Sequence, residues 1–264
     1  MAIANFDDFI ASAKQQVGIV KTAARTSVAA QFFSVYDLAG SPGAGTLAGS
    51  STTTGTVPTD ATAGHPTIFP FGGSAKGYLA QVDFGCTVAC RIKLYDLLWK
   101  GGAYAFNVST SGNTPTSYAS RVPGTPDYEN LELWLEQVTA GTGTQGVNVT
   151  YTNEAGTTGR STGTVATAGN IVGRMHQLPL QAGDKGIQGV TGVVGSTATA
   201  GTFNILVMRQ LWSGRVKIAN DGDIHDLAKT GMPEIFADSA LMMIVAADST
   251  STGIPELELM IANG

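Results

Sequence analysis

Three stretches of this chain alternate apolar and polar residues with a period of two. Leu131, Leu133 and Leu135 alternate with Glu132, Trp134 and Glu136. Val147, Val149 and Tyr151 alternate with Asn148, Thr150 and Thr152. Leu257, Leu259 and Ile261 alternate with Glu256, Glu258 and Met260. Side chains along a strand point to opposite faces in turn, so each stretch predicts a strand buried on one face. Leu131, Leu133, Leu135, Val147, Val149 and Tyr151 are expected to share one buried layer. On this reading Glu132 and Glu136 mark a solvent face rather than the carboxylate pair of a glycosidase. Tyr104, Phe106 and Val108 alternate in the same way, and residues 175–180, 186–194 and 202–211 are further strand candidates. Turns containing glycine, such as NEAGTTG, punctuate the series. The run ALMMIVAA reads as a strand buried on both faces. Short strands with frequent turns predict a mainly β protein, an antiparallel β-sandwich. The stretch LPLQAGDKGIQGV, a strand, a Gly-Asp turn and another strand, suits a jelly-roll-like version of it.

The first residues depart from this pattern. Asn5 is placed to cap a helix, with Asp7 and Asp8 at its positive end. Phe6, Phe9, Ile10, Ala13, Val17, Val20 and Ala24 follow a helical stripe, with Lys14, Gln15, Gln16 and Lys21 on the other faces. The spacing predicts an N-terminal amphipathic helix of about five turns. Its stripe packs either on its own subunit or, as an arm, on a neighbour. After an apolar, β-prone run from Ser27 to Leu38, residues 39–64 are almost entirely Gly, Ser, Thr, Ala and Pro. A loop of that length is uncommon inside a domain. It is a flexible linker or an extended segment laid over another surface. It ends in HPTIFPFGG, where Ile68, Phe69 and Phe71 offer an apolar anchor. The chain therefore divides into residues 1–38 (helix and strand), 39–75 (Gly/Ser/Thr-rich extended arm or loop) and 76–264 (β-sandwich body).

A chain of 264 residues is long enough for a sizeable core without disulfides or metals. Charged residues make up only 13% of it, roughly half the usual share of about 25%. A surface so poor in charge suits a protein covered by neighbours better than a free monomer. The net charge of −5 and the lack of any Lys/Arg run argue against nucleic acid as a partner. No apolar run approaches the roughly 18 residues of a membrane span. The first residues carry no basic region followed by an apolar one, so synthesis in the cytoplasm is expected.

A search for chemistry finds little. Cys86 and Cys90, taken as one strand, would lie about 13 Å apart, too far for a disulfide, and read as small core residues. Of the three histidines, His65, His176 and His225, only His225 has carboxylate company, in NDGDIHD. Asp221, Asp223 and Asp226 could offer oxygen ligands to a cation, but the EF-hand spacing and its distal Glu are missing. An Asp-rich turn is the plainer reading. The glycine-rich SPGAGTLAG lacks the lysine and following helix of a phosphate loop, and no G-x-S-x-G elbow is present. No catalytic residue, cofactor or metal is expected.

Three blocks nevertheless carry a resemblance: MAIANFDDFIASAKQQV at the start, YENLELWLEQVTAGTGTQGVNVTYTNEAGTTGR in the middle and GMPEIFADSALMMIVAADSTSTGIPELELMIANG at the end. They resemble a family of tailed-bacteriophage virion structural proteins. The resemblance implies a particle component made in the host cytoplasm, an auxiliary head protein that decorates or cements the capsid. Its partners would be the major capsid protein or other virion proteins and further copies of itself, as a trimer at a local threefold. Phe6, Phe9, Ile10, Val17, Ile68, Phe69, Phe71 and Trp134 are the expected contact residues. Competing roles are a tail, neck or shell subunit, or a carbohydrate- or receptor-binding sandwich. That last role needs an exposed aromatic among Trp99, Trp134 and Trp212.

Overall fold

A computed structural model of the chain describes residue 3 and residues 5–72, 76–167, 171–195 and 200–264. It is mainly β and antiparallel. After helix α1 (Phe6–Ala11) come β1 (Lys14–Lys21), β2 (Phe32–Ser34), β3 (Gly40–Ser41) and β4 (Ser51–Thr56). Next are β5 (Gly77–Cys86), β6 (Cys90–Ala105), β7 (Ser109–Ser111), β8 (Leu131–Thr139) and β9 (Gln145–Asn153). Then follow β10 (Arg160–Ser161), β11 (Val165–Thr167), β12 (Met175–Leu178), β13 (Ile187–Gly195) and β14 (Thr202–Val216). The chain closes with β15 (Asp221–His225), helix α2 (Leu227–Thr230), β16 (Glu234–Ile235), β17 (Leu241–Ala247) and β18 (Pro255–Asn263).

The strands form three sheets. The central one runs β12-β8-β14-β6-β17-β2, with β4 also on β6. The second runs β15-β5-β18-β1-β3, with β16 on β5, and the third runs β10-β9-β13-β7, with β11 on β9. The longest strands, β6 and β14, pair along their whole length and carry the central sheet past both of the others. At one end, Leu133, Leu135, Ile205 and Val207 meet Val147, Val149, Tyr151 and Val193 of the third sheet. Leu131 belongs to the same layer, so the six residues expected to share one layer do so. At the other end, Ile92, Leu94, Met243 and Val245 meet Val17, Ile19, Val82, Leu257 and Leu259 of the second sheet. The second sheet is covered on one side only: in β18, Leu257, Leu259 and Ile261 are buried while Glu256 and Glu258 are exposed. β17 is buried at every residue because the central sheet is covered on both sides.

That second covering overturns one reading of the alternation. Of the residues that alternate with Leu131, Leu133 and Leu135, Glu132 is half-buried, but Trp134 and Glu136 do not face water. Trp134, Leu206, Met208, Met242 and Ile244 form a further apolar cluster with Tyr36 and Met175, and Leu47 packs at its margin. Glu136 is completely buried. The Gly/Ser/Thr-rich segment 39–64 reaches this face at Leu47 and the opposite one at Val57, where Trp99 also lies. β3 pairs with β1 and β4 with β6. Trp99 Nε1 donates to the Thr54 carbonyl at 3.0 Å. The segment carries little apolar signal because, apart from Leu47 and Val57, it is bound to the sheet largely through backbone polar groups.

The N-terminal helix is also corrected. It stops at Ala11, with Asn5 Oδ1 accepting from the Asp8 amide at 3.0 Å. From Lys14 the chain is a strand paired with β18. Val17 and Ile19 are β-branched and reach the core at strand spacing; the helical stripe took in Val17 by coincidence of period and passed over Ile19. The cysteines are corrected as well. They are free and buried in the core as expected, but not on one strand: β5 ends at Cys86 and β6 begins at Cys90, and Cys86 Sγ donates to the Thr252 carbonyl at 3.5 Å.

Candidate functional site

Polar residues embedded in apolar strands converge on the covered face of the central sheet. Lys100 of β6 pairs in register with Leu206 of β14, and Asn204 of β14 with Glu136 of β8. Side chains two apart on a strand share a face, so Lys100, Asn204 and Glu136 lie side by side. Lys100, Glu136 and Asn204 are all buried. Asn204 Nδ2 donates to Glu136 Oε2 at 2.8 Å and to the Leu47 carbonyl at 2.7 Å. Its Oδ1 accepts from the Gly49 amide at 2.9 Å. Lys100 Nζ donates to the Tyr36 hydroxyl and, at 2.9 Å, to the Thr46 carbonyl, and stands 4.0 Å from Glu136 Oε2.

Two glycines make this approach possible. A Cβ on Gly49 would come within 2.9 Å of the Gly102 backbone, and a Cβ on Gly102, whose φ is +148°, would overlap Asn204 Oδ1. Burial lowers the proton affinity of the Lys100 amine and raises that of the Glu136 carboxyl, with their mutual charge opposing both shifts. Beside them a cavity of about 360 Å³ is lined by Tyr36, Thr46, His65, Leu97 and Lys100 among others. His65 stacks on Tyr36 and its Nδ1 lies 3.1 Å from the Leu241 carbonyl. Burial brings its pKa down to about 4.

A second buried cluster lies around Asp96 of β6. Arg121 pairs with Asp96, Arg209 Nη2 is 3.6 Å away, and the Ser239 hydroxyl and Ala240 amide donate to the same carboxylate at 2.8 and 3.1 Å. Every side of this carboxylate is used structurally. Neither cluster was found in the sequence, although its signal is there: a lone Asp and Lys in LYDLLWKGG and an Asn in FNILVM interrupt apolar runs.

The expected contact residues divide. Phe6, Ile10 and Phe69 are 62%, 60% and 67% exposed. No residue of α1 is buried, and Phe9 stacks against Phe6. Gln15 exchanges two hydrogen bonds with the Phe69 backbone, at 2.9 and 3.0 Å, and so ties that aromatic to β1. Val17, Ile68 and Phe71 belong instead to the chain's own core. Trp134 is 2% exposed, and its indole donates to Glu132 at 2.7 Å. Trp99 and Trp212 are buried too. A surface groove of about 750 Å³ is lined by Phe71, Val122, Pro123, Ile235 and Phe236, with Lys76 and Glu234 paired at 2.9 Å as its charged groups.

Among the described residues no group of three or more His, Cys, Asp or Glu is placed to hold a metal ion. Residues 221–225 form a strand rather than a loop. Asp226 caps α2, and the Asp223 carboxylate faces His225 and Lys229. Among the described residues no helix is long and apolar enough to cross a membrane.

No family model matches the chain, and a search of the curated proteins gives no match. Among solved structures it has a distant likeness to particles of infectious bursal disease virus. The 2.6 Å structure of T=1 particles derived from that virus is 8% identical, with 95% of this chain and 76% of that chain covered and a TM-score of 0.19. The Gx strain structure is 7% identical, covering 96% and 80%, with a TM-score of 0.18. The VP2 subviral particle is 8% identical, covering 96% and 80%, also at 0.18. At these TM-scores the likeness carries no argument.

Proposed function

We propose that this chain is a non-enzymatic structural subunit of a bacteriophage particle, a head decoration or cement protein that binds the outer capsid and stabilises it. The observation that carries the reading is the apolar N-terminal surface. Phe6 and Ile10 stand clear of the core on a short helix, and Phe69 is exposed on a loop tied to the next strand. Exposed large apolar side chains of this kind are candidates for a contact site. The blocks resembling tailed-phage virion proteins and the low surface charge agree with it. A sugar-binding role lacks its platform, because Trp99, Trp134 and Trp212 are all buried. The proposed assembly is a trimer on the shell, with the major capsid protein or other virion proteins as partners, and with neither nucleic acid nor membrane.

The test uses the full chain and a Phe6→Ser, Ile10→Ser double variant, which touches no buried residue. Sedimentation of both and binding of both to capsids lacking the protein are measured. The expected result is an oligomer that binds shells, with binding lost or weakened at least tenfold in the variant. A monomer with no affinity for capsids overturns the proposal.

A further inference from the structure

We propose that Lys100 and Asn204 join in an intramolecular isopeptide bond, formed by the chain itself with Glu136 as the acid–base catalyst. This modification is independent of the role in a particle argued above.

The geometry supplies each part of the reaction. The nucleophile is the Lys100 amine, buried and held by the Tyr36 hydroxyl and the Thr46 carbonyl. The electrophile is the Asn204 carboxamide, on the adjacent strand and the same face. Its nitrogen is held by the next carbonyl along the covering segment, that of Leu47, at 2.7 Å. Consecutive carbonyls of one segment thus each bind one of the two reacting groups. The Gly49 amide donates to Asn204 Oδ1 at 2.9 Å, where negative charge develops when the carbon is attacked. Glu136 Oε2 is near both partners, 2.8 Å from the leaving nitrogen and 4.0 Å from the attacking one.

The chemistry balances without any co-reactant. Nζ of the neutral amine attacks Cγ of Asn204, and a C–N bond forms. The carboxyl proton of Glu136 passes to Nδ2, and the carboxylate accepts a proton from Nζ. The Cγ–Nδ2 bond breaks and ammonia leaves. Burial favours the two protonation states this requires, an uncharged amine and an uncharged carboxyl. Holding nucleophile and electrophile in one fixed site supplies the effective concentration that a primary amide otherwise lacks. All of β7 to β13 lies between the two residues, so the bond would close the entire third sheet into a covalent ring at its neck.

Intact mass spectrometry of the purified full chain is the first measurement. The expected mass is one ammonia below that of the sequence. A succinimide at Asn204 would lose the same mass, so a protease digest must also yield a branched peptide in which fragment ions link Lys100 to Asn204. The Lys100→Arg and Glu136→Gln variants are each expected at the full sequence mass. Either a parent chain at full mass, or a mass loss that persists in Lys100→Arg, overturns the proposal. The parent measurement decides the matter even if a variant fails to fold.

Discussion

Asn204 and Glu136 face each other across the ladder between β14 and β8, and the Asn204 carboxamide donates to the Glu136 carboxyl at 2.8 Å. A polar pair in that position means that the face of the central sheet turned away from Leu133 and Leu135 is interior as well. Polar groups buried there must be satisfied by one another and by the segment above them.

The same relationship predicts the behaviour of Trp134, two residues before Glu136. On a solvent face its removal would cost little. Packed against Tyr95 and Phe32, and with its indole bonded to Glu132, it is a core residue. Trp134→Ala should cost about 3–5 kcal/mol, measured as the shift in a urea unfolding curve. A cost within the range of surface substitutions would return this face to the solvent.

What could be read from the sequence follows from what periodicity encodes. The layer of Leu131, Leu133, Leu135, Val147, Val149 and Tyr151 was legible because strand alternation states which residues share a face. It does not state whether the other face is covered. The cover here includes a Gly/Ser/Thr-rich segment bound through backbone groups to Lys100 and Asn204. Such contacts leave no apolar pattern in the sequence. Val17 and Val20 fit a helical stripe as well as a strand, and only the pairing of β1 with β18 decides between them. Lys100, Glu136 and Asn204 are far apart in sequence and meet only through the strand order.

Acid should weaken the fold through its buried histidines. The neutral form of His65 is favoured by burial, and its pKa falls from 6.5 to about 4. Burial also brings His176 down to about 4, with Arg174 adding to the shift. As pH drops below about 6.5 the unfolded chain takes up protons that the folded chain refuses until about 4. Stability therefore declines across that window. Thermal melts of the parent and of a His65→Gln, His176→Gln variant should show a shallower decline in the variant. NMR titration of the His65 ring should give a midpoint near 4. A ring titrating at its ordinary pKa would contradict the burial.

Asp184 works in the opposite sense. Its carboxylate accepts from the Tyr151 hydroxyl at 2.7 Å, Asn153 Nδ2 at 2.8 Å and Arg160 Nε at 2.9 Å. The Arg160 hydrogen bond, with those of Asn153 and Tyr151, brings its pKa down to about 2. A depressed carboxyl contributes stability that is present above its unfolded pKa of about 3.9 and is lost as pH falls through about 2. The difference in melting temperature between the parent and Asp184→Asn should be constant from neutral pH to about 4 and shrink below it. A difference that is flat down to pH 2 would mean that the charge on Asp184 contributes nothing.

Two truncations separate the surface role of the N-terminus from its structural one. Removing residues 1–11 takes away α1, which contributes no buried residue. Its helix is only six residues long and owes its form to the Asn5 cap and to Lys14 Nζ, which donates to the carbonyls of Phe9 and Ile10. The shortened chain should melt within a few degrees of the parent. Removing residues 1–24 also takes away β1, which pairs with β18 from Lys14 to Val20 and places Val17 and Ile19 in the core. Truncating Ile19 alone to Ala costs about 2–5 kcal/mol in comparable cores. Losing both Val17 and Ile19, together with a ladder of backbone hydrogen bonds, approaches the whole of the roughly 5–15 kcal/mol that holds a domain together. The longer truncation should therefore be insoluble or lack a cooperative melting transition. If it melted like the parent, β1 would be an appendage and not a member of the second sheet.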